Sequence, residues 1–254
     1  MRGTTWMALA VVSAVLLSGC ATAGKLRCPD VGMTKTLALS DEERADLART
    51  GTEAEVARLL NREVEAQLPT SLALARLHSG YYGGRPDLTR VPVAEREQWR
   101  QMAADHGRIE GVQAVTSLTV DREDDEPVAL SDLRLAAARQ GCELLLVYVQ
   151  GEGSVDNLND AAVLYWTLVG LWLVPGNVVE HETVYNGILV DCRSGAILGT
   201  ATGDARDRRV TAAAYTGAAA DGAARKAREE AFNEFRDTCD RLLGQVTARP
   251  AASP

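Results

Sequence analysis

The chain has 254 residues, of which 46% are hydrophobic, 24% charged and 5% aromatic, with a formal net charge of −8. This composition argues against disorder, collagen-like repeats and a multi-span membrane protein. It also argues against a basic nucleic-acid binder, because phosphate recognition needs a concentration of Lys and Arg that this chain lacks.

Arg2 precedes a charge-free, mainly apolar run from Trp6 to Leu17. This is the layout of a secretory signal, and it falls short of the roughly 20 apolar residues of a spanning helix. The run ends in Leu17-Ser18-Gly19-Cys20, which resembles a bacterial lipobox. That resemblance implies cleavage between Gly19 and Cys20 and acylation of the Cys20 thiol. Several acyl chains on one residue anchor a protein firmly where a single chain does not. Ala21 follows the cysteine where an Asp commonly signals inner-membrane retention, so the implied address is the periplasmic face of the outer membrane. The expected organisation is a signal peptide at 1–19, a lipidated tether at 20–39, a single periplasmic α/β domain at 40–248 and a frayed tail at 249–254.

Along the mature chain, Ser40-Asp41-Glu42-Glu43 and Thr52-Glu53-Ala54-Glu55 read as capping boxes, in which side chain and backbone satisfy each other's free donors. The second opens an apolar face of Val56, Leu59, Leu60 and Val64, which Pro69 ends. Ser71–Leu77 reads as a strand, followed by a Gly80–Pro86 loop. A helix after Pro92 carries Trp99, Met102, Ala103 and His106 on one stripe. Val112–Val120 is the next expected strand, and Asp121–Glu126 an acidic solvated loop. Ser131 or Asp132 then caps an Ala-rich helix through Ala138. Glu143–Val149 is nearly all apolar, the pattern of a strand covered on both faces.

This alternation of strand and helix predicts parallel βαβαβ units. Thr183–Asp191, the turn Arg193-Ser194-Gly195 and Ala196–Ala201 add an antiparallel hairpin to the same mixed sheet. Phe232, Phe235, Cys239, Leu242 and Val246 recur at spacings of three and four and mark a long C-terminal amphipathic helix lying on the sheet.

With Cys20 lipidated, Cys28, Cys142, Cys192 and Cys239 remain, either as buried free thiols or as two disulfides for which sequence alone leaves three pairings open. Cys142 starts one strand and Cys192 ends another. If the two run antiparallel side by side, both cysteines sit at one sheet edge, which favours Cys142–Cys192 and leaves Cys28 for Cys239.

Ala161–Val174 carries no charge and contains Trp166 and Trp172. It reads as a core strand or hairpin, as an apolar patch that meets a membrane surface or a partner, or as a spanning helix, against which Pro175-Gly176-Asn177 ends the run short of the required length. Tyr165, Trp166, Leu171 and Trp172 are the candidate contact residues. Tyr165-Trp166-Thr167-Leu168-Val169-Gly170, Val174-Pro175-Gly176-Asn177 and Leu189-Val190-Asp191-Cys192-Arg193-Ser194-Gly195-Ala196-Ile197-Leu198-Gly199 resemble motifs of the bacterial rhombotarget lipoproteins. The likeness covers about residues 140–205. The wider layout is similar to envelope lipoproteins of the curli-secretion class, which implies an anticodon-binding-domain-like α/β sheet. It implies no activity, and the Gly-Gly tail followed by a hydrophobic segment that rhomboid-type processing needs is absent from this sequence.

The chemistry-bearing residues do not assemble into a catalytic pattern. Glu180-His181-Glu182 reads as a solvated strand start whose neighbours face opposite ways. Neither the acidic run nor Asp156–Asp160 has the ligand spacing of a calcium loop. Gly151-Glu152-Gly153-Ser154 lacks the second glycine of a nucleophile elbow. No metal, cofactor or catalytic residue is therefore expected. The function expected from sequence is that of a non-catalytic binding or scaffolding lipoprotein that meets the bilayer through Cys20 and an envelope protein or copies of itself elsewhere. Two rivals are an oligomeric secretion channel or channel accessory, and a small-ligand binder or hydrolase using His78 and the Gly80–Pro86 loop. For the last, a cleft holding His78 or His106 beside a carboxylate is the discriminating feature.

Overall fold

The computed structural model describes residues 64–78, 87–120, 128–158 and 176–248, with the side chains of 155–158 excepted. The signal and lipobox, both capping boxes, the Gly80–Pro86 loop, the acidic run, Ala161–Val174 and the tail from Arg249 lie outside them.

The elements are β1 (Thr70–His78), β2 (Asp87–Thr89), α1 (Val93–Asp105), β3 (Ile109–Ala114), α2 (Leu130–Arg139), β4 (Cys142–Leu158), β5 (Asn177–Asp191), β6 (Ile197–Thr211) and α3 (Thr216–Thr247). They build one mixed sheet in the order β2-β1-β4-β5-β6, with β3 beside β1. β1 runs parallel to β3 and β4 and antiparallel to β2. The expected α/β class, parallel βαβαβ core, added hairpin and packing C-terminal helix are therefore present.

The chain divides into two compact units. One contains the described residues of Ser154–His181 and Arg206–Lys226; the other contains those of Cys28–Gly153, Glu182–Ala205 and Ala227–Pro254. In the first, Asp207 accepts hydrogen bonds from Arg209 at 2.7 Å and Lys226 at 3.1 Å, and Arg206 pairs with Glu180. The Arg209 hydrogen bond most of all, with that of Lys226, holds Asp207 below the usual carboxylate range. The second unit contains the core.

That core lies on both faces of the sheet. On one face Leu72, Leu74, Leu144, Leu146, Tyr148, Tyr185 and Leu189 pack against Trp99 and Met102 of α1 and Phe232, Phe235, Cys239 and Leu243 of α3. On the other, Ala73, Ala75, Leu77, Leu145, Val147, Val149, Ile188 and Val190 pack against Leu133, Ala136 and Ala137 of α2. Strand alternation sends neighbouring residues to opposite faces, so the unbroken apolar run Leu144–Val149 feeds both layers. Gly203 of β6 lets α3 approach closely: a Cβ there would lie 2.3 Å from the Phe235 nitrogen and 2.4 Å from the Ala231 oxygen.

Several boundaries differ from expectation. β3 begins three residues before Val112 and ends at Ala114, because Thr116 and Thr119 close a turn on each other. Ser131 and Asp132 fall inside the first turn of α2, whose N-cap is Ala129 and has no side-chain cap. β5 starts at Asn177 and β6 runs on to Thr211. Their outer halves are rich in charged and polar residues, so an apolar-pattern reading stopped short of them. α3 begins at Thr216, well before Phe232; its first turns are Ala- and Gly-rich, without the large apolar residues that mark a stripe. Leu243 rather than Leu242 is the fully buried leucine of its stripe. His181, expected in a solvated strand start, is buried on the opposite side of its strand from half-buried Glu180 and Glu182.

Candidate functional site

Two places in the core-bearing unit concentrate polar chemistry. The first is the turn that leaves β5, inside the Leu189–Gly199 motif. Asp191 is fully buried, and its carboxylate accepts four backbone N–H groups. One oxygen takes Glu65 at 2.5 Å and Ala66 at 2.9 Å; the other takes Arg193 at 2.8 Å and Ser194 at 3.3 Å. A buried carboxylate is tolerated when its oxygens are met in this way. Asp191 thus ties the segment entering β1 to the β5–β6 turn.

Arg134 of α2 closes the turn from outside. Its guanidinium donates to the Cys192 carbonyl at 2.9 and 3.2 Å and to the Arg193 carbonyl at 3.0 Å. Gly195 sits at φ +71°, and a Cβ there would lie 2.6 Å from Arg134 Nη1, so both backbone and space call for glycine. Arg193 pairs with Glu143, one bond at 2.5 Å, and this contact leads the lowering of the Glu143 carboxyl below its ordinary range.

Beside this turn lie two thiols. The β1–β4 register steps from Ser71↔Cys142 to Leu72↔Leu144, leaving Glu143 as an extra residue on β4. Such a bulge shifts the side-chain alternation by one. Cys142 therefore joins Leu145, Val147 and Val149 on the α2 face, where Cys192 also lies with Ile188 and Val190. Cys239 belongs to the opposite face. All three are free thiols in this structure, so the expected Cys142–Cys192 bridge is not formed, and Cys28, the expected partner of Cys239, is outside the described residues. Burial pushes the Cys142 thiol up to about 11 and Cys192 up to about 12. Burial raises Cys239 as well. None is activated towards nucleophilic attack at neutral pH.

The second place is on the α1/α3 face. Arg76 interrupts the apolar run of β1 and ion-pairs with Glu95 in the first turn of α1 at 3.4 Å. Buried Tyr148 donates to the same carboxylate oxygen that Arg76 Nε contacts, its hydroxyl 3.0 Å from Glu95 Oε2. Arg76 also bonds Gln150, Gln150 bonds Glu152, and Arg228 of α3 bonds Glu152 at 2.8 Å. Desolvation raises the Glu95 carboxyl, against the opposing pull of Arg76 and the Tyr148 hydrogen bond. Burial, reinforced by Glu95, raises Tyr148 well above the ordinary phenol. The aromatic rings of Trp99, Tyr148, Tyr185, Phe232 and Phe235 stack and tilt around this chain at centroid distances of 5.5–5.9 Å.

Neither place lines the groove on α1 and β3. A groove of about 400 Å³ runs between α1 and the outer strand β3, lined by Arg100, Ala103, Ala104 and the strand from Ile109 to Gln113. His106 lies 2.9 Å from the Asp240 carboxylate, a histidine beside an acid, but neither residue lines that groove. With Arg108 donating to the Thr247 carbonyl at 3.0 Å, the pair fastens the α1–β3 turn to the end of α3. His78 ends β1 exposed. No group of three metal-ligating side chains occurs among the described residues. Cys20, Tyr165, Trp166, Leu171 and Trp172 lie outside them. Sequence reading passed over Arg76 and Glu95, yet an arginine in the run Leu72–Leu77 is itself a signal, since a charge on a buried strand needs a partner.

No family model matches the chain, and no curated protein matches it. Among solved structures, it is similar to a neuraminyllactose-binding hemagglutinin homolog from Helicobacter pylori (11% identity, 70% of this chain and 85% of that one, TM-score 0.35). It is also similar to the PelC dodecamer from Paraburkholderia phytofirmans (12%, 71% and 94%, 0.29). A third likeness is to lipoprotein GNA1162 from Neisseria meningitidis (11%, 61% and 94%, 0.28).

Proposed function

We propose that this protein is a lipoprotein held on the periplasmic face of the outer membrane by acylated Cys20, and that its α/β sheet serves binding or scaffolding without catalysis. The observation that carries the reading is Leu17-Ser18-Gly19-Cys20 at the end of a charge-free apolar run, with Ala21 after it. No helix of the described residues is long and apolar enough to cross a membrane, so the acyl group supplies the anchor in this reading. The chemistry of the two polar places supports a non-catalytic role. The Asp191 carboxylate is spent on four amides, Arg134 on two carbonyls and Glu95 on Arg76 and Tyr148. The residues for contact are Tyr165, Trp166, Leu171 and Trp172, from the uncharged apolar stretch Ala161–Val174.

Replacing Cys20 with Ala tests the anchor: the protein is expected in the soluble periplasmic fraction, and continued membrane association contradicts the reading. Replacing Trp166 and Trp172 with Ser tests the contact role. A folded protein that no longer binds its envelope partner supports it, whereas unfolding assigns the rings to a core.

One observation favours an oligomeric channel accessory as the second reading. The sheet is open, with β6 at its end and β3 paired only with β1 among the described residues. Against it, the β6 edge is guarded, because Glu234 takes the Asp204 amide at 3.1 Å and Asp204, Arg206 and Arg208 stand exposed along the strand. Light scattering of the detergent-extracted protein separates the two: a single protomer mass supports the scaffold, and a closed ring supports the channel.

A further inference from the structure

We propose that Cys142 and Cys192 form one oxidisable pair, closing a disulfide between the start of β4 and the end of β5 from which Cys239 is excluded. Three observations place the pair. The Cys192 amide donates to the Glu143 carbonyl at 2.8 Å, so the end of β5 lies beside the start of β4 and the two strands run in opposite directions. The bulge at Glu143 turns Cys142 onto the face that Cys192 occupies, and both thiols belong to the same packed cluster. The sheet itself separates them from Cys239, which packs among Leu72, Leu146, Leu189, Leu242 and Leu243 on the far side. Without the bulge, strand alternation would send Cys142 to that far side, so the extra residue is what selects this pairing from the three that four cysteines allow.

In the oxidation, two thiol protons and two electrons pass to an acceptor disulfide, that of a dithiol oxidase in the envelope or oxidised glutathione in a test tube. The acceptor leaves as two thiols while the Sγ–Sγ bond forms. Both side chains are nearly sealed from solvent, 2% and 9% exposed, and both thiols are held far from the thiolate form that such exchange requires. Closure therefore belongs to folding, before α2 covers the pair. The bond joins the two ends of residues 143–191, the stretch that carries Tyr165, Trp166, Leu171 and Trp172.

Closure in the cell rests on the periplasmic location proposed above; closure during refolding does not. The full chain is extracted from envelopes with thiols blocked by N-ethylmaleimide at lysis, then digested without reductant. In parallel it is reduced, unfolded and refolded in a glutathione redox buffer before blocking. A peptide containing Cys142 joined to one containing Cys192 is expected in both samples. The joined peptide in the refolded sample alone keeps the pairing and contradicts the oxidising compartment. Maleimide on both residues in both samples, or either of them joined to Cys28 or Cys239, overturns the pairing.

Discussion

The two faces of the sheet bury similar numbers of strand residues but solve different problems. On the α1/α3 face the sheet meets large rings, and a line of ionised and hydrogen-bonding groups from Arg76 through Glu95 and Tyr148 runs among them. On the α2 face it meets alanines, valines, leucines and two thiols, with no ion pair inside the cluster. The difference lies in the covering helix. α2 packs Leu133, Ala136 and Ala137 against aliphatic strand residues, whereas α3 packs Phe232 and Phe235 against Tyr148 and Tyr185 and meets Gly203 with its backbone. One face is thus built by shape and charge together, the other by area alone.

That contrast is open to breaking. The largest loss is expected for Trp99→Ala, which removes the ring contacting Tyr148, Phe232 and Phe235 and costs about 4 kcal/mol in chemical denaturation. Gly203→Ala follows at about 3 kcal/mol, because its new methyl meets α3 backbone atoms that cannot turn aside. A cost near zero would show that α3 shifts freely over β6. Leu145→Ala on the other face should lose about 2 kcal/mol, the low end for a buried leucine.

The smallest effect is one of pH. The fold raises the Glu95 carboxyl above its ordinary 4.5, so the folded state binds its proton more tightly than the unfolded chain does. Glu95 is neutral to stability well below pH 4.5, and its ionisation costs stability as pH rises from there through the raised value. Glu143 has the opposite sign: its contribution is present above pH 4.5 and lost as pH falls through its lowered value. The stability of the wild type relative to Glu95→Gln should therefore fall as pH rises above 4.5, and relative to Glu143→Gln it should grow over the acid range. Parallel pH profiles for all three proteins would contradict both assignments.

Much of this architecture was legible in the sequence because it rests on apolar periodicity. The Leu144–Val149 run announced a strand covered twice, the Trp99, Met102 and Ala103 stripe a helix on the sheet, and the Phe232, Phe235 and Cys239 spacing the long final helix. Reading failed where charge replaced periodicity. Arg206, Arg208 and Arg209 hid the outer half of β6, and the small residues of α3 hid its first four turns. The Arg76–Glu95 pair was missed because two charges nineteen residues apart become partners only after α1 folds back over β1. The bulge at Glu143 was invisible for a related reason: register is a property of two strands, and no single stretch of sequence states it.

Intact mass spectrometry of the detergent-extracted protein reads the lipid anchor itself. The expected species is a polypeptide that begins at Cys20 and is heavier than its residues by a diacylglyceryl group and an amide-linked acyl chain. A polypeptide that begins at Met1, or one that begins at Cys20 with an unmodified thiol, would contradict the anchor.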